Sequence, residues 1–154
     1  MNYELILSEK EFYRKHSHLL SQASKEKYNK IFICIGYNEL GWKYEDTFFE
    51  KYEDMINTIK ELSPTTKIYL VSILHISKDA IVSNEFENNE RIILYNSKIK
   101  NLSSKTNTIY MDLNSKFVDS DGFLISNQTT DGVHFTNEYY NKYLYEIYQF
   151  IITN

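Results

Sequence analysis

Two short stretches of this sequence carry side chains able to do chemistry. Near the end of the chain, "TTDGVHF" places Asp131 and His134 three residues apart, just ahead of an amphipathic run. A carboxylate beside an imidazole fixes its tautomer and stabilises the imidazolium formed when it takes up a proton, which is the pairing of a general base. Asp-Gly is also a common turn pair, and a loop histidine needs only one satisfied nitrogen, so this stretch alone leaves both readings open. Earlier, "GYNELG" (Gly36 to Gly41) follows an apolar run. The Asn38 amide can donate to a developing oxyanion, and Gly36 would let the backbone turn sharply toward a ligand. Asn38 can equally serve only its own turn.

The other reactive residues are few. His75 ends an apolar run and reads as a strand-end histidine facing solvent in preference to a site residue. His16 and His18 fall on a helical pattern and read as surface or boundary positions. Cys34 sits among isoleucines and a phenylalanine, where a small buried hydrophobe is the default. As the single cysteine it excludes an internal disulfide and a cysteine-based metal cluster. Asp131 and His134 both ligate metals, but no further His/Asp cluster accompanies them, so no metal is expected.

The elements that must position these residues alternate in type. "YELIL" (Tyr3 to Leu7) has strand length. Ser8 and Glu11 then form a capping box that opens a helix up to about Lys27. "KIFICIG" (Lys30 to Gly36) and "KIYLVSIL" (Lys67 to Leu74) are continuously apolar and rich in β-branched residues, the pattern of strands buried on both faces. Between them Phe48, Tyr52, Met55, Ile56, Ile59 and Leu62 mark a helix, stopped by Ser63-Pro64. A loop from His75 leads to a helix over about Asn89 to Ser103, with Ile92, Ile93, Asn96 and Ile99 on one side. "TIYMDL" (Thr108 to Leu113) is a further strand and "DSDG" (Asp119 to Gly122) a turn. A last helix over about Asn137 to Ile152 follows, with Tyr140, Tyr143, Leu144, Ile147, Tyr148 and Ile151 as its apolar positions. Such alternation predicts one α/β domain, a parallel sheet with helices on both faces. Its site should lie at the carboxyl ends of the strands, where Asn38 and His75 fall.

Composition narrows the partners. The 154 residues suit a single domain, with 42% hydrophobic and 25% charged side chains in ordinary balance. A net charge of -4 without a lysine or arginine run argues against nucleic acid. The apolar runs are too short to span a bilayer, and "MNYELILSEK" lacks the regions of a signal peptide, so the expected location is cytoplasmic.

Taken together, "IFICIGYNELG" and "DGVHFTNEYYNKYLYEI" resemble two signature blocks of the SGNH, or GDSL-like, hydrolase superfamily. The first is a strand ending in Gly-x-Asn-Asp and the second is Asp-x-x-His ahead of the last helix. Gly36, Asn38, Asp131 and His134 occupy those positions, with Glu39 in place of the usual aspartate. The resemblance, which extends over 28 to 152, implies a three-layer α/β/α fold with a flavodoxin-like sheet. It also implies serine esterase chemistry on a small acyl ester, often on carbohydrates or lipids, with no cofactor. His134 would be the base, Asp131 would orient it, and Asn38 with Gly36 would serve the oxyanion hole.

The sequence departs from the family at the nucleophile. The family's Gly-Asp-Ser block has no counterpart, and no glycine precedes Gly36 to fill the second block. The expectation is therefore a domain that lacks the family's first strand and starts late relative to the family. Its hydrolase activity would be impaired or absent; the alternative is a non-catalytic binding or assembly module. Ser8 is the weak candidate nucleophile, since it ends one strand and the capping box already explains it. In the family's order the first strand lies between the second and third. Two outcomes follow: "YELIL" pairs directly with "KIFICI", or a bare "KIFICI" edge invites a homodimer.

Overall fold

The computed structural model describes the backbone of residues 4–8 and the whole of residues 28–153. Within them, strands β1 (Glu4–Ser8), β2 (Lys30–Cys34), β3 (Lys67–Val71) and β4 (Ile109–Met111) form one sheet in the order β1-β2-β3-β4. Every pairing is parallel, with Ile6 opposite Phe32, Phe32 opposite Tyr69 and Leu70 opposite Tyr110. The first of the two expected outcomes is therefore the one observed. Glu4–Ser8 pairs directly with Lys30–Cys34, and among the described residues no strand intervenes. The edge that would have invited a second chain is occupied by β1. The helix expected between Ser8 and Lys27 lies outside the described residues, as do His16 and His18.

Helices α1 (Glu45–Leu62), α2 (Asn89–Lys105) and α3 (Asn137–Thr153) complete the layers. The period-two alternation of a strand sends its neighbouring side chains to opposite faces. Ile31 and Ile33 of β2, with Ile68 and Leu70 of β3, join one core with Phe48, Tyr52 and Ile56 of α1 and Ile92, Tyr95 and Ile99 of α2. Phe32, Tyr69, Val71 and Met111 face the other way and meet Ile147 of α3, with Tyr143, Phe150 and Ile151 packed around them. The result is the expected α/β/α sandwich.

The helix starts follow local chemistry. Asn88 caps α2, its side chain accepting from the Arg91 N–H at 2.9 Å. Glu45 and Asp46 place negative charge in the first turn of α1, and the Ser63 N–H closes that helix onto the Ile59 carbonyl ahead of Pro64. The buried stripe of α2 differs from the expected one. Ile93 is 56% exposed, and Tyr95 takes the inner position, its hydroxyl donating to the Glu39 carbonyl at 2.7 Å. Tyr140 and Tyr148 of α3, expected as apolar contacts, are likewise more than half exposed.

Strand β3 ends at Val71, three residues short of the sequence expectation. One more ladder bond follows, from the Ser72 N–H to the Met111 carbonyl at 3.0 Å, and after it the backbone bonds to side chains. The Ile73 N–H donates to Asn96 Oδ1, and Asn96 Nδ2 returns a bond to the Ile73 carbonyl, both at 2.8 Å. Asn89 treats Ile76 the same way, at 2.8 and 3.2 Å. Two asparagines of α2 therefore peel the chain off the sheet and steer it along the carboxyl edge.

Candidate active site

At that edge lies a cavity of about 640 Å³. The segment after β2 supplies Asn38, the segment after β3 supplies Ser72 and His75, and the loop before α3 supplies His134. Three separate stretches of sequence meet here, as expected for an open parallel sheet.

The loop carrying Asp131 and His134 is built from its own backbone outward. Asp131 Oδ1 accepts the N–H groups of Val133 at 3.0 Å and His134 at 2.8 Å, an Asx turn that brings the two side chains together. Asp131 Oδ2 then accepts from His134 Nδ1 at 2.7 Å. An ionised carboxylate only accepts, so Nδ1 carries the proton and Nε2 is left as the basic nitrogen. The His134 N–H, the imidazole and the Val133 N–H together hold the Asp131 carboxyl down at about 2. With 77% of the His134 side chain exposed, its outer nitrogen is open to a reactant.

Gly132 lets this turn sit where it does. Its φ is +85°, and a Cβ there would fall 2.3 Å from the Ala80 Cα and 2.5 Å from Ser77 Oγ. That close approach is held by the Ser77 N–H bonding to the Gly132 carbonyl at 2.9 Å and the Ile81 N–H bonding to the Asp131 carbonyl at 3.0 Å. Asp79 fastens the same loop from behind, accepting from Ser77 Oγ at 2.7 Å and Ser126 Oγ at 2.6 Å. The 77–81 segment was only a loop in the sequence; the Asp131-Gly132 turn pair was the one sign that something must pack closely here.

The Asn38 loop is anchored as firmly. Gly36 has φ +124°, and its missing side chain leaves room for Ile73, whose Cδ1 would lie 2.8 Å from a Cβ. Glu39, at the family's aspartate position, is buried at 1% exposure. Arg91 Nε donates to the Leu40 carbonyl at 2.9 Å while its guanidinium also pairs with Glu45, which Lys98 contacts as well. Asn38 itself stays exposed on the cavity wall.

Two readings of the sequence are corrected here. His75 does not simply face solvent. It is partly buried and lines the cavity, because Asn114 and Gly122, remote in sequence, bond to its backbone and its ring. Cys34 is only half-buried, since β2 ends beside it; its sulfur accepts from the Tyr143 hydroxyl at 3.4 Å and lines the same cavity. Ser8 is known here by its register alone: its Cα lies opposite that of Cys34. Ser72 lines the cavity and accepts the N–H groups of Leu113 and Asn114 at 3.0 and 3.1 Å. Those bonds occupy the hydroxyl lone pairs and tie β3 to the segment after β4. Among the described residues no three metal-ligating side chains converge, and no helix is long and apolar enough to cross a membrane.

A three-layer α/β/α domain with its cavity at the carboxyl edge of a parallel sheet defines the structural class. Within that class the sequence is specific. The GDSL-like Lipase/Acylhydrolase family model matches residues 11–142, and the chain belongs to that family. Solved structures share the fold. A Streptococcus pneumoniae protein described as a platelet activating factor superimposes with a TM-score of 0.72 at 22% identity, over 90% of this chain and 78% of its own. A Bacteroides fragilis protein assigned as an acylhydrolase gives 0.68 at 22% identity, over 91% and 71%. A GDSL-like lipase from Bacteroides thetaiotaomicron gives 0.66 at 20% identity, over 91% and 72%. No curated protein matches the sequence.

Proposed function

We propose that the cavity is the site of an acyl-ester hydrolase working on small acyl esters. The observation that carries this reading is the Asp131–His134 hydrogen bond, on the wall of a cavity that Asn38 also lines. His134 Nε2 would take the proton of the attacking hydroxyl and later return it to the leaving alcohol. Asp131, ionised at any working pH, would stabilise the imidazolium between those steps. The Asn38 amide would donate to the oxyanion, with Gly36 allowing the backbone to come close.

The attacking group is the component that sets how much activity the chain retains. Ser72 is committed to two backbone N–H groups, which leaves Ser8 as the serine to test. Its Cα partner Cys34 lines the cavity, so β1 delivers Ser8 to the neighbouring strand position. The commitment of Ser72 also favours a second reading, a non-catalytic module that binds an ester or alcohol in the same cavity.

Labelling with a serine-reactive fluorophosphonate, alongside turnover of a chromogenic acetyl ester, separates the two. Wild type should label and turn over the ester, Ser8→Ala should lose both, and His134→Ala should lose turnover. Equal background in all three would overturn catalysis by this chain and leave the binding module.

A further inference from the structure

A second histidine faces the same cavity and has no part in the relay. The His75 N–H donates to Asn114 Oδ1 at 2.9 Å, and its ring Nδ1 lies 2.5 Å from the Gly122 carbonyl oxygen. A carbonyl oxygen only accepts, so Nδ1 carries the proton and the neutral ring keeps a bare Nε2. His134 has the same tautomer, but a carboxylate holds it. That difference divides their roles. A carboxylate stabilises the imidazolium that a base becomes, whereas a neutral carbonyl does so far less. The Gly122 carbonyl thereby presents His75 Nε2 as a hydrogen-bond acceptor.

The rest of the wall sharpens what would fill that acceptor. The Tyr143 hydroxyl donates to Cys34 and the Tyr37 hydroxyl to Glu87 at 3.2 Å, while Ser72 Oγ accepts two backbone N–H groups. Among the described residues no donor reaches His75 Nε2. Phe135 and Tyr140 add aromatic surface to the lining. In a largely apolar pocket the few unsatisfied polar groups orient the ligand. An acceptor on the cavity wall can take a hydrogen bond from an O–H that the ligand brings.

We propose that His75 Nε2 binds a hydroxyl on the alcohol portion of the ester, so that the site prefers esters of polyols over esters of simple alcohols. This rests on the acyl-ester reading above. The test compares glycerol monoacetate with ethyl acetate as substrates. In wild type the kcat/KM ratio should favour the glycerol ester, and His75→Phe should cut that ratio about tenfold, as loss of one hydrogen bond would. His75→Gln, whose amide oxygen can accept, should restore part of it. A binding readout keeps the two proposals apart. In His134→Ala, the 15N resonance of His75 Nε2 should move on titration with glycerol monoacetate and not with ethyl acetate. A selective shift without turnover by any variant would sink the hydrolase reading and support this one. Turnover with an unchanged ratio, or a resonance that responds to neither ester or to both alike, would overturn it.

Discussion

Asp131 holds His134 at two points, the backbone N–H on Oδ1 at 2.8 Å and the ring Nδ1 on Oδ2 at 2.7 Å. One carboxylate therefore shapes the turn and fixes the tautomer together. Asp131→Asn separates these functions, because an amide oxygen can still accept the backbone bonds while the charge is gone. We expect Asp131→Asn to keep the fold and lower kcat by about 10³-fold or more, with His134→Ala at least as severe. Steady-state kinetics with an acetyl ester checks this. Full turnover in Asp131→Asn would remove the pair from the mechanism.

The same carboxylate predicts a pH dependence of stability. Its folded value of about 2 lies below the ordinary 3.8, so ionised Asp131 stabilises the native state. For a depressed group that stabilisation is complete above the unfolded value and is lost as the pH falls through the folded one. Wild type should therefore melt above Asp131→Asn at neutral pH, by roughly 2 °C given the partial exposure of the side chain. The gap should close between about pH 4 and pH 2. Thermal melts of both proteins across that range measure it.

Asn38 is exposed on the wall while the loop around it is pinned by Arg91 and Tyr95. Asn38→Ala removes the amide and leaves those two anchors in place. If the amide meets the oxyanion only as it forms, kcat falls by about 10²-fold and KM stays nearly constant. A rise in KM at constant kcat would instead make Asn38 a ground-state binding group.

How much of this was legible in sequence depended on how far apart the determining residues lie. Strands β2 and β3 were visible because a strand buried on both faces must be apolar at every position. The Asp131–His134 pair was visible because an Asx turn is local. His75 was not, since its ring is fixed by Gly122, 47 residues away in sequence. The early end of β3 was hidden for the same reason, its cause being Asn96, 23 residues on. The α2 stripe misled because apolarity alone favoured Ile93, whereas Tyr95 fills the core with its ring and satisfies its hydroxyl on Glu39. The neighbour of β2 was open between two outcomes, and pairing of backbone with Glu4–Ser8 decided it.

Two glycines with nearly the same backbone angle allow strain and crowding to be told apart. Gly132 has φ +85° and Gly122 φ +83°. A Cβ at Gly122 would meet nothing within 4 Å, whereas at Gly132 it would strike the Ala80 backbone. Both alanine variants carry the left-handed penalty, of about 1 kcal/mol. Gly132→Ala adds a collision with main chain that no rotamer relieves, so it should cost about 3 kcal/mol in all. Urea denaturation of the two variants gives the comparison directly. Relief of that collision must push the Asp131–His134 turn away from the 77–81 segment, which carries the Ser77 and Ile81 N–H bonds to it. Gly132→Ala should accordingly lose most ester turnover even where it remains folded, while Gly122→Ala keeps the turn in place. Equal stability losses in the two variants would show that conformational strain, and not the contact with Ala80, is what fixes glycine at position 132.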